Sequence, residues 1–145
     1  MLGFTIDNPV DQDVANPDDW YGTGFNVRDW QEAYRIPGTA PVTLAFQLSL
    51  AIRECNRALE AWKDTQLDAG VAELPADRQD YYTDAVYARA TALLIPLLPS
   101  LVTDERAREQ AEALGQQPEA FTRRSDEMLN RIRGQAPKAG RIALI

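Results

Sequence analysis

Residues 41–67 read PVTLAFQLSLAIRECNRALEAWKDTQL, and this stretch decides the fold class. Its apolar residues recur every three or four positions, at Leu44, Leu48, Ala51, Ile52, Cys55, Leu59 and Trp62. The charged residues between them lie on the other face, at Arg53, Glu54, Arg57, Glu60, Lys63 and Asp64. Pro41 suits a first helical turn, and Gly70 suits a stop. The pattern therefore predicts one long amphipathic helix.

Helical patterns continue on both sides of this stretch. We predict further helices over 27–34, from 76 or 77 to a kink or stop near Leu94, over 104–114, and over 118–133. Asn26 and Thr103 are the expected N-caps of the first and third of these, and Pro96 explains the kink. The sequence thus predicts an all-α fold, a small bundle of about four main helices spanning 26–134.

Two non-helical arms of opposite charge flank the predicted bundle. Residues 1–25 contain five aspartates and no Lys or Arg, with turn-forming Asn-Pro pairs and glycines. Residues 128–145 contain four basic residues and no acid, and 135–145 form a predicted extended tail. Both arms carry apolar residues without a helical or core pattern. We therefore expect them to lie on other proteins, as in an assembly subunit.

Composition excludes several classes of protein. The chain has 145 residues, 45% hydrophobic and 26% charged, which is typical of one globular domain. Its net charge of −7 argues against binding nucleic acid through phosphate neutralisation. We expect no membrane association, because no apolar run approaches the roughly 18 residues of a membrane span. No secretory signal is visible at the N-terminus.

The residues needed for common catalytic sites are missing. The chain has no histidine, so Ser-His triads and the commonest metal ligand are absent. Cys55 lies on the apolar stripe of the long helix and is interpreted as a small core residue. Acidic pairs such as Asp104-Glu105 suit the start of a helix. We predict no enzyme, no catalytic residue, no metal and no cofactor, although a hydrolase using only carboxylates stays open.

Several residues outside the helical stripes are candidates for contacts between subunits or with a partner protein. Trp20 is an aromatic residue in a predicted arm, so it would anchor an interface or fold back onto its own bundle. Arg123 and Arg124 form a basic doublet that is either solvated or paired with acids of a neighbouring subunit. The predicted contact set is Phe4, Trp20, Tyr21, Phe25, Arg123 and Arg124.

The order of the segments resembles the head completion proteins of P2-like tailed phages, which are head-tail connector subunits. The resemblance runs from residue 27 to the C-terminus and rests on RIPGT (35–39), NRALEAW (56–62), YTDAVYARA (82–90) and the terminal RIALI (141–145). The chain departs from the family at IPLLPS (95–100), where an acidic, threonine-rich turn is usual. The N-terminal arm has no counterpart in the family that we can align.

The resemblance implies a structural subunit of the virion neck, assembled in the cytoplasm of the bacterial host. It implies a dodecameric ring below the portal that extends the DNA channel and provides the platform for the next neck or tail protein. Double-stranded DNA would pass an acidic lumen without sequence-specific binding. The predicted portal-docking residues are Arg141, Ile142, Leu144 and Ile145.

A second hypothesis also fits the composition. A small acidic helical adaptor or regulatory binding protein, acting as a monomer or dimer, would have dispensable arms and no ring. Deleting residues 141–145 separates the two, because only a connector should lose assembly.

Overall fold

The computed structural model describes residues 8–22, 24–115 and 117–134. Within these ranges, two short strands precede six helices: β1 Asp13–Ala15, β2 Gly24–Asn26, α1 Val27–Tyr34, α2 Pro41–Asp68, α3 Gln79–Leu94, α4 Leu98–Leu101, α5 Glu105–Leu114 and α6 Pro118–Ile132. Three single 3₁₀ turns lie at Asp19–Tyr21, Ala76–Arg78 and Ile95–Leu97. The predicted all-α class is confirmed. No helix in the described ranges is long and apolar enough to cross a membrane.

The core forms where α2 and α6 pack against α3. The inner face of α2 is buried as its periodicity predicts, and Cys55 is fully buried within it. Burial raises the pKa of the Cys55 thiol to about 12, which keeps it protonated at neutral pH. α6 and α3 are joined by a buried hydrogen bond, in which the Ser125 hydroxyl of α6 donates to the Ala85 carbonyl of α3 at 2.8 Å. The interpretation of Cys55 as a core residue is confirmed.

Most helix boundaries follow the predicted start and stop signals. The Asn26 side chain accepts from the Arg28 amide at 2.9 Å and caps α1. The expected break after Leu94 is a 3₁₀ turn over Ile95–Leu97, where Pro96 cannot donate a backbone bond. The cap of α5 is a correction, because Asp104 rather than Thr103 accepts from the Ala107 amide at 2.8 Å.

The N-terminal segment, residues 8–26, differs from the extended arm predicted over 1–25. β1 and β2 pair antiparallel, with Val14 opposite Phe25, and form a small ribbon against the bundle. Gly24 is required there, because its φ is 144° and a Cβ would lie 2.4 Å from the Val14 carbonyl oxygen. Residues 1–7 and the predicted tail, 135–145, lie outside the described residues.

Candidate functional site

Trp20 attaches the N-terminal segment to α2 and to the loop that follows it. Its ring packs edge-on against Trp62, with ring centroids 5.8 Å apart. Its indole Nε1 donates to the Val71 carbonyl at 3.3 Å, and its own carbonyl accepts from the Leu74 amide at 2.8 Å. Only 6% of Trp20 is exposed. Of the two predicted roles, the structure shows the residue folded back onto its own bundle.

Tyr21 continues this attachment into the core. Its ring stacks on that of Tyr82 in α3, with centroids 5.0 Å apart. It is 2% exposed, and burial together with nearby Asp18 raises the pKa of its phenol. Trp20 and Tyr21 therefore have almost no surface left to offer a neighbouring subunit. Phe25 is half-buried and packs edge-on to Tyr87 at 5.7 Å, so part of its ring stays accessible.

Three polar side chains close a ring of hydrogen bonds beneath these aromatics. Asn16 donates through Nδ2 to the Tyr82 hydroxyl at 2.9 Å, and that hydroxyl donates to Oδ1 of Asn56. Asn56 donates back through Nδ2 to Oδ1 of Asn16 at 2.9 Å. Each group both gives and receives, which strengthens the ring and satisfies its buried atoms. Lys63 adds an ion pair to Asp18 at 2.5 Å.

Arg124 and Arg123 have different environments on α6. Arg124 pairs with Asp84 of α3, with Nη2 2.8 Å from the carboxylate, and also donates to the Tyr34 hydroxyl. The hydrogen bond to Asp84 raises the pKa of Arg124, and burial followed by Asp84 raises that of Tyr34. Arg123 is exposed. The doublet is thus divided between an intramolecular pair and a solvent-facing charge.

Two clefts open along the side of the bundle formed by β1, β2, α1 and α3. One, of 650 Å³, is lined by residues that include Asp13, Phe25 and Asp29. The other, of 510 Å³, is lined by residues that include Asp80 and Phe121. Both share Thr83 and Tyr87 as walls. We call the combined feature the acidic groove, defined by Asp13, Phe25, Asp29, Asp80, Thr83 and Tyr87.

Sequence reasoning missed a second apolar line on α2. Val42 is 81% exposed and Phe46 is 54% exposed, although both belong to the helix that supplies most of the core. Val42 and Phe46 are four residues apart and so share one line on the helix, and that line lies more than a third of a turn away from Leu44 and Leu48. This difference in helical angle was the signal available in the sequence. The interpretation of this face as a charged, solvated one holds only for its later turns.

The remaining predicted site residues are not placed. Phe4, Arg141, Ile142, Leu144 and Ile145 lie outside the described residues. Within the described ranges, no group of three His, Cys, Asp or Glu side chains converges as a metal site requires.

A family comparison decides the identity. The family model described as Phage head completion protein (GPL) matches residues 17–142. The chain belongs to this family. The match begins ten residues before the expected start at residue 27 and ends at residue 142 rather than at the C-terminus, so it covers the positions of Trp20 and Tyr21 as well as the helices. No curated protein and no solved structure gives a significant match. The chain therefore has a structural role in completing the phage head, in contact with other head or neck proteins.

Proposed function

We propose that this head completion protein is a connector subunit of the virion neck. Copies assemble in the host cytoplasm as a dodecameric ring below the portal, extend the DNA channel and provide the platform for the next neck or tail protein. The observation that carries this proposal is the family match over 17–142, which spans the whole described bundle. The ring, the portal contact and the channel are the finer steps that we add to it.

Charge supports the proposed channel. The net charge of −7 gives a ring of many copies a strongly acidic character. We expect DNA to be repelled from such a lumen and to slide through it, because a net acidic surface does not neutralise the phosphates. Sequence-specific contacts to bases are neither needed nor expected.

Docking to the portal is assigned to the C-terminal tail. Arg141, Ile142, Leu144 and Ile145 combine one positive charge with β-prone apolar side chains. A tail of this composition can add as a strand to an exposed sheet edge, where backbone bonds give affinity and alternate side chains give specificity. We propose Phe4, Phe25, Arg123 and Arg124 as contacts to a neighbouring subunit or neck protein. The burial of Trp20 and Tyr21 argues against the same role for those two.

The test is native mass spectrometry of the purified chain, alone and mixed with a portal ring from the same phage. A small species that converts to a portal-bound ring of many copies supports the connector role. A persistent monomer or dimer that ignores the portal overturns it and favours the adaptor hypothesis.

A deletion of residues 141–145 then tests the tail alone. The truncated chain should keep its thermal unfolding midpoint but lose the portal complex. The matched control replaces Lys138 with Ala, which changes the charge just before the tail and should leave the complex intact. A truncated chain that still joins the portal contradicts the assignment.

A further inference from the structure

One face of α2 has no partner in the described structure. We call it the outer face of α2 and define it by Val42, Phe46, Leu50, Arg53 and Arg57. Steps of three and four place these residues on one line, opposite the buried stripe and about 22 Å long. The line is apolar in its first turns and basic in the next. A face with this exposed apolar area is typical of an interface rather than of a solvated surface.

The basic half of this face lies beside an unsatisfied buried hydroxyl. Arg53 and Arg57 line a small cleft together with Asn56 and Tyr21. Both arginines are exposed, and the structure gives neither an ion pair with another described residue. The Tyr21 hydroxyl is buried and has no hydrogen-bond partner among the described residues. That hydroxyl has almost no accessible surface, so it contributes nothing to a contact with a second protein. The cleft is also lined by Asp18, Glu60, Lys63 and Asp64, and its two exposed arginines are the groups that can pair with a carboxylate from outside.

The acidic groove has the complementary character. Phe25 and Tyr87 provide aromatic walls, and Asp29 and Asp80 are exposed without an ion pair to another described residue. The acidic charge also affects a wall of the groove. The pKa of Tyr87 is raised to about 12, first by burial and then by the nearby carboxylates of Asp29 and Glu32. Aromatic walls suit apolar side chains, and free carboxylates suit arginine.

The outer face of α2 and the acidic groove lie on different sides of the subunit. α3 separates them, because Tyr82 and Arg89 contact α2 through Asn56 and Glu54. Asp80, Thr83 and Tyr87 lie on another face of α3 and line the groove. Two different complementary patches on one chain are what a head-to-tail contact between copies requires.

We propose that the outer face of α2 in one copy docks into the acidic groove of a second copy. This inference rests on the proposed ring and assigns its repeating contact. Val42 and Phe46 pack against the aromatic walls, while Arg53 and Arg57 pair with Asp29 and Asp80 of the neighbour. The electrostatic half fixes register and direction, and the apolar half supplies the buried area.

DNA in the channel is the other acidic ligand that the two arginines would attract. The apolar half of the same face argues against it, since a phosphate backbone gives Val42 and Phe46 nothing to pack on. The same residues gain on docking to protein, where their exposed apolar area is removed from water. A second copy is therefore the occupant that uses the whole face.

Disulfide trapping tests the contact on the full-length chain. One variant carries Arg57→Cys and the other Asp80→Cys. Each variant is oxidised alone, and a mixture of the two is oxidised in parallel. Only the mixture should give a disulfide-linked pair, because a head-to-tail contact brings different sites together. Cys55 does not interfere, since it is buried and its thiol pKa is raised to about 12. The matched control is Arg108→Cys on α5 mixed with Asp80→Cys, which should stay unlinked.

The outcomes separate this inference from the proposed function. A portal-bound ring without the mixed disulfide overturns the contact and leaves the connector role intact. A mixed disulfide without any portal-bound ring supports the contact and overturns the ring. Loss of retention on duplex DNA by Arg53→Glu with Arg57→Glu, with no mixed disulfide, assigns the face to the channel and overturns the inference.

Charge reversal provides a second measurement. Arg53→Glu with Arg57→Glu should weaken association of copies by more than about tenfold, because like charges then face each other. Asp29→Arg with Asp80→Arg should do the same. The chain carrying all four changes should recover association to within about threefold of the original. Unchanged unfolding midpoints exclude misfolding, and failure of the fourfold variant to recover contradicts the pairing.

Discussion

The N-terminal segment has little regular structure yet inserts into the core, whereas α5 is a regular ten-residue helix with no buried residue. The segment is held by two large aromatic side chains and by hydrogen bonds to α2 and α3. α5 is held by Ala107, Ala111 and Leu114, which are only partly buried. Regular backbone and burial are therefore separate properties. The first follows local periodicity, and the second follows the size and polarity of side chains that meet across the fold.

Alkaline pH should produce the largest change and should act through the attachment of the N-terminal segment. Burial raises the pKa of Tyr21 and Tyr82, and raises that of Tyr87 and Cys55 to about 12. In the unfolded chain these groups lose their protons at ordinary values of 10.0 for tyrosine and 9.0 for cysteine. Above pH 9.0 the folded state thus holds more protons than the unfolded state, so the free energy of unfolding falls as the pH rises towards 12.

The measurement is the unfolding midpoint at a series of pH values, followed together with tyrosinate absorbance. The contribution of these groups to stability should be constant below pH 9.0 and should decline above it. Most tyrosinate absorbance should appear together with loss of helical signal. Ionisation of all the tyrosines while the helices stay intact would show that the phenols are not held in the core.

Trp20→Ala should cause the next largest loss, about 3–5 kcal/mol of unfolding free energy. The change removes the ring contact with Trp62 and the hydrogen bond to the Val71 carbonyl. Urea unfolding at neutral pH measures it. Leu67→Ala is a matched control on an exposed part of α2 and should cost about 0.5 kcal/mol or less. Equal effects of the two changes would contradict the core position of Trp20. Because this variant is destabilised, a loss of ring assembly in Trp20→Ala counts as a lost contact only if the variant is shown to be folded under the same conditions.

Tyr82→Phe should cost roughly 1–3 kcal/mol, because it opens the hydrogen-bonded ring and leaves amide groups of Asn16 and Asn56 unsatisfied. Tyr87→Phe is the matched control in the same helix, since no described residue hydrogen-bonds its hydroxyl. The comparison requires only two chemical denaturation curves. A Tyr82→Phe chain as stable as Tyr87→Phe would show that the ring contributes little.

The sequence predicted five of the six helices because each of these follows a local rule, whereas the single turn α4, Leu98–Leu101, was not predicted. α1 begins at its Asn26 cap, α2 begins at Pro41 and ends within a residue of its predicted end, and the chain breaks next to Pro96 as a missing amide donor requires. The family was also indicated by ordered motifs along these helices, and the family match confirms it.

The position of the N-terminal segment could not be predicted in the same way. Its decisive hydrogen bond joins Asn16 to Tyr82, 66 residues along the chain, and no periodic pattern records such a pairing. The outer face of α2 was missed for a different reason, because Val42 and Phe46 have the composition of core residues and differ from them only in helical angle. Apolar residues on the far side of a core helix were the signal available for a surface that docks on another protein.

The smallest predicted effect is on α5, and it completes the comparison. Ala111→Gly should destabilise the helix by about 0.5–1 kcal/mol, since glycine loses more backbone entropy on folding. A helix held by partly buried alanines opens on its own before the bundle unfolds. Amide hydrogen exchange in α5 should therefore quicken by roughly two- to fivefold, while the global unfolding midpoint hardly moves.

The matched change Ala88→Gly, in the buried part of α3, should instead lower the global midpoint, because α3 packs against α1, α2 and α6. Similar global losses for both variants would mean that α5 unfolds with the bundle, and the contrast between a buried irregular segment and a loosely held regular helix would then fail.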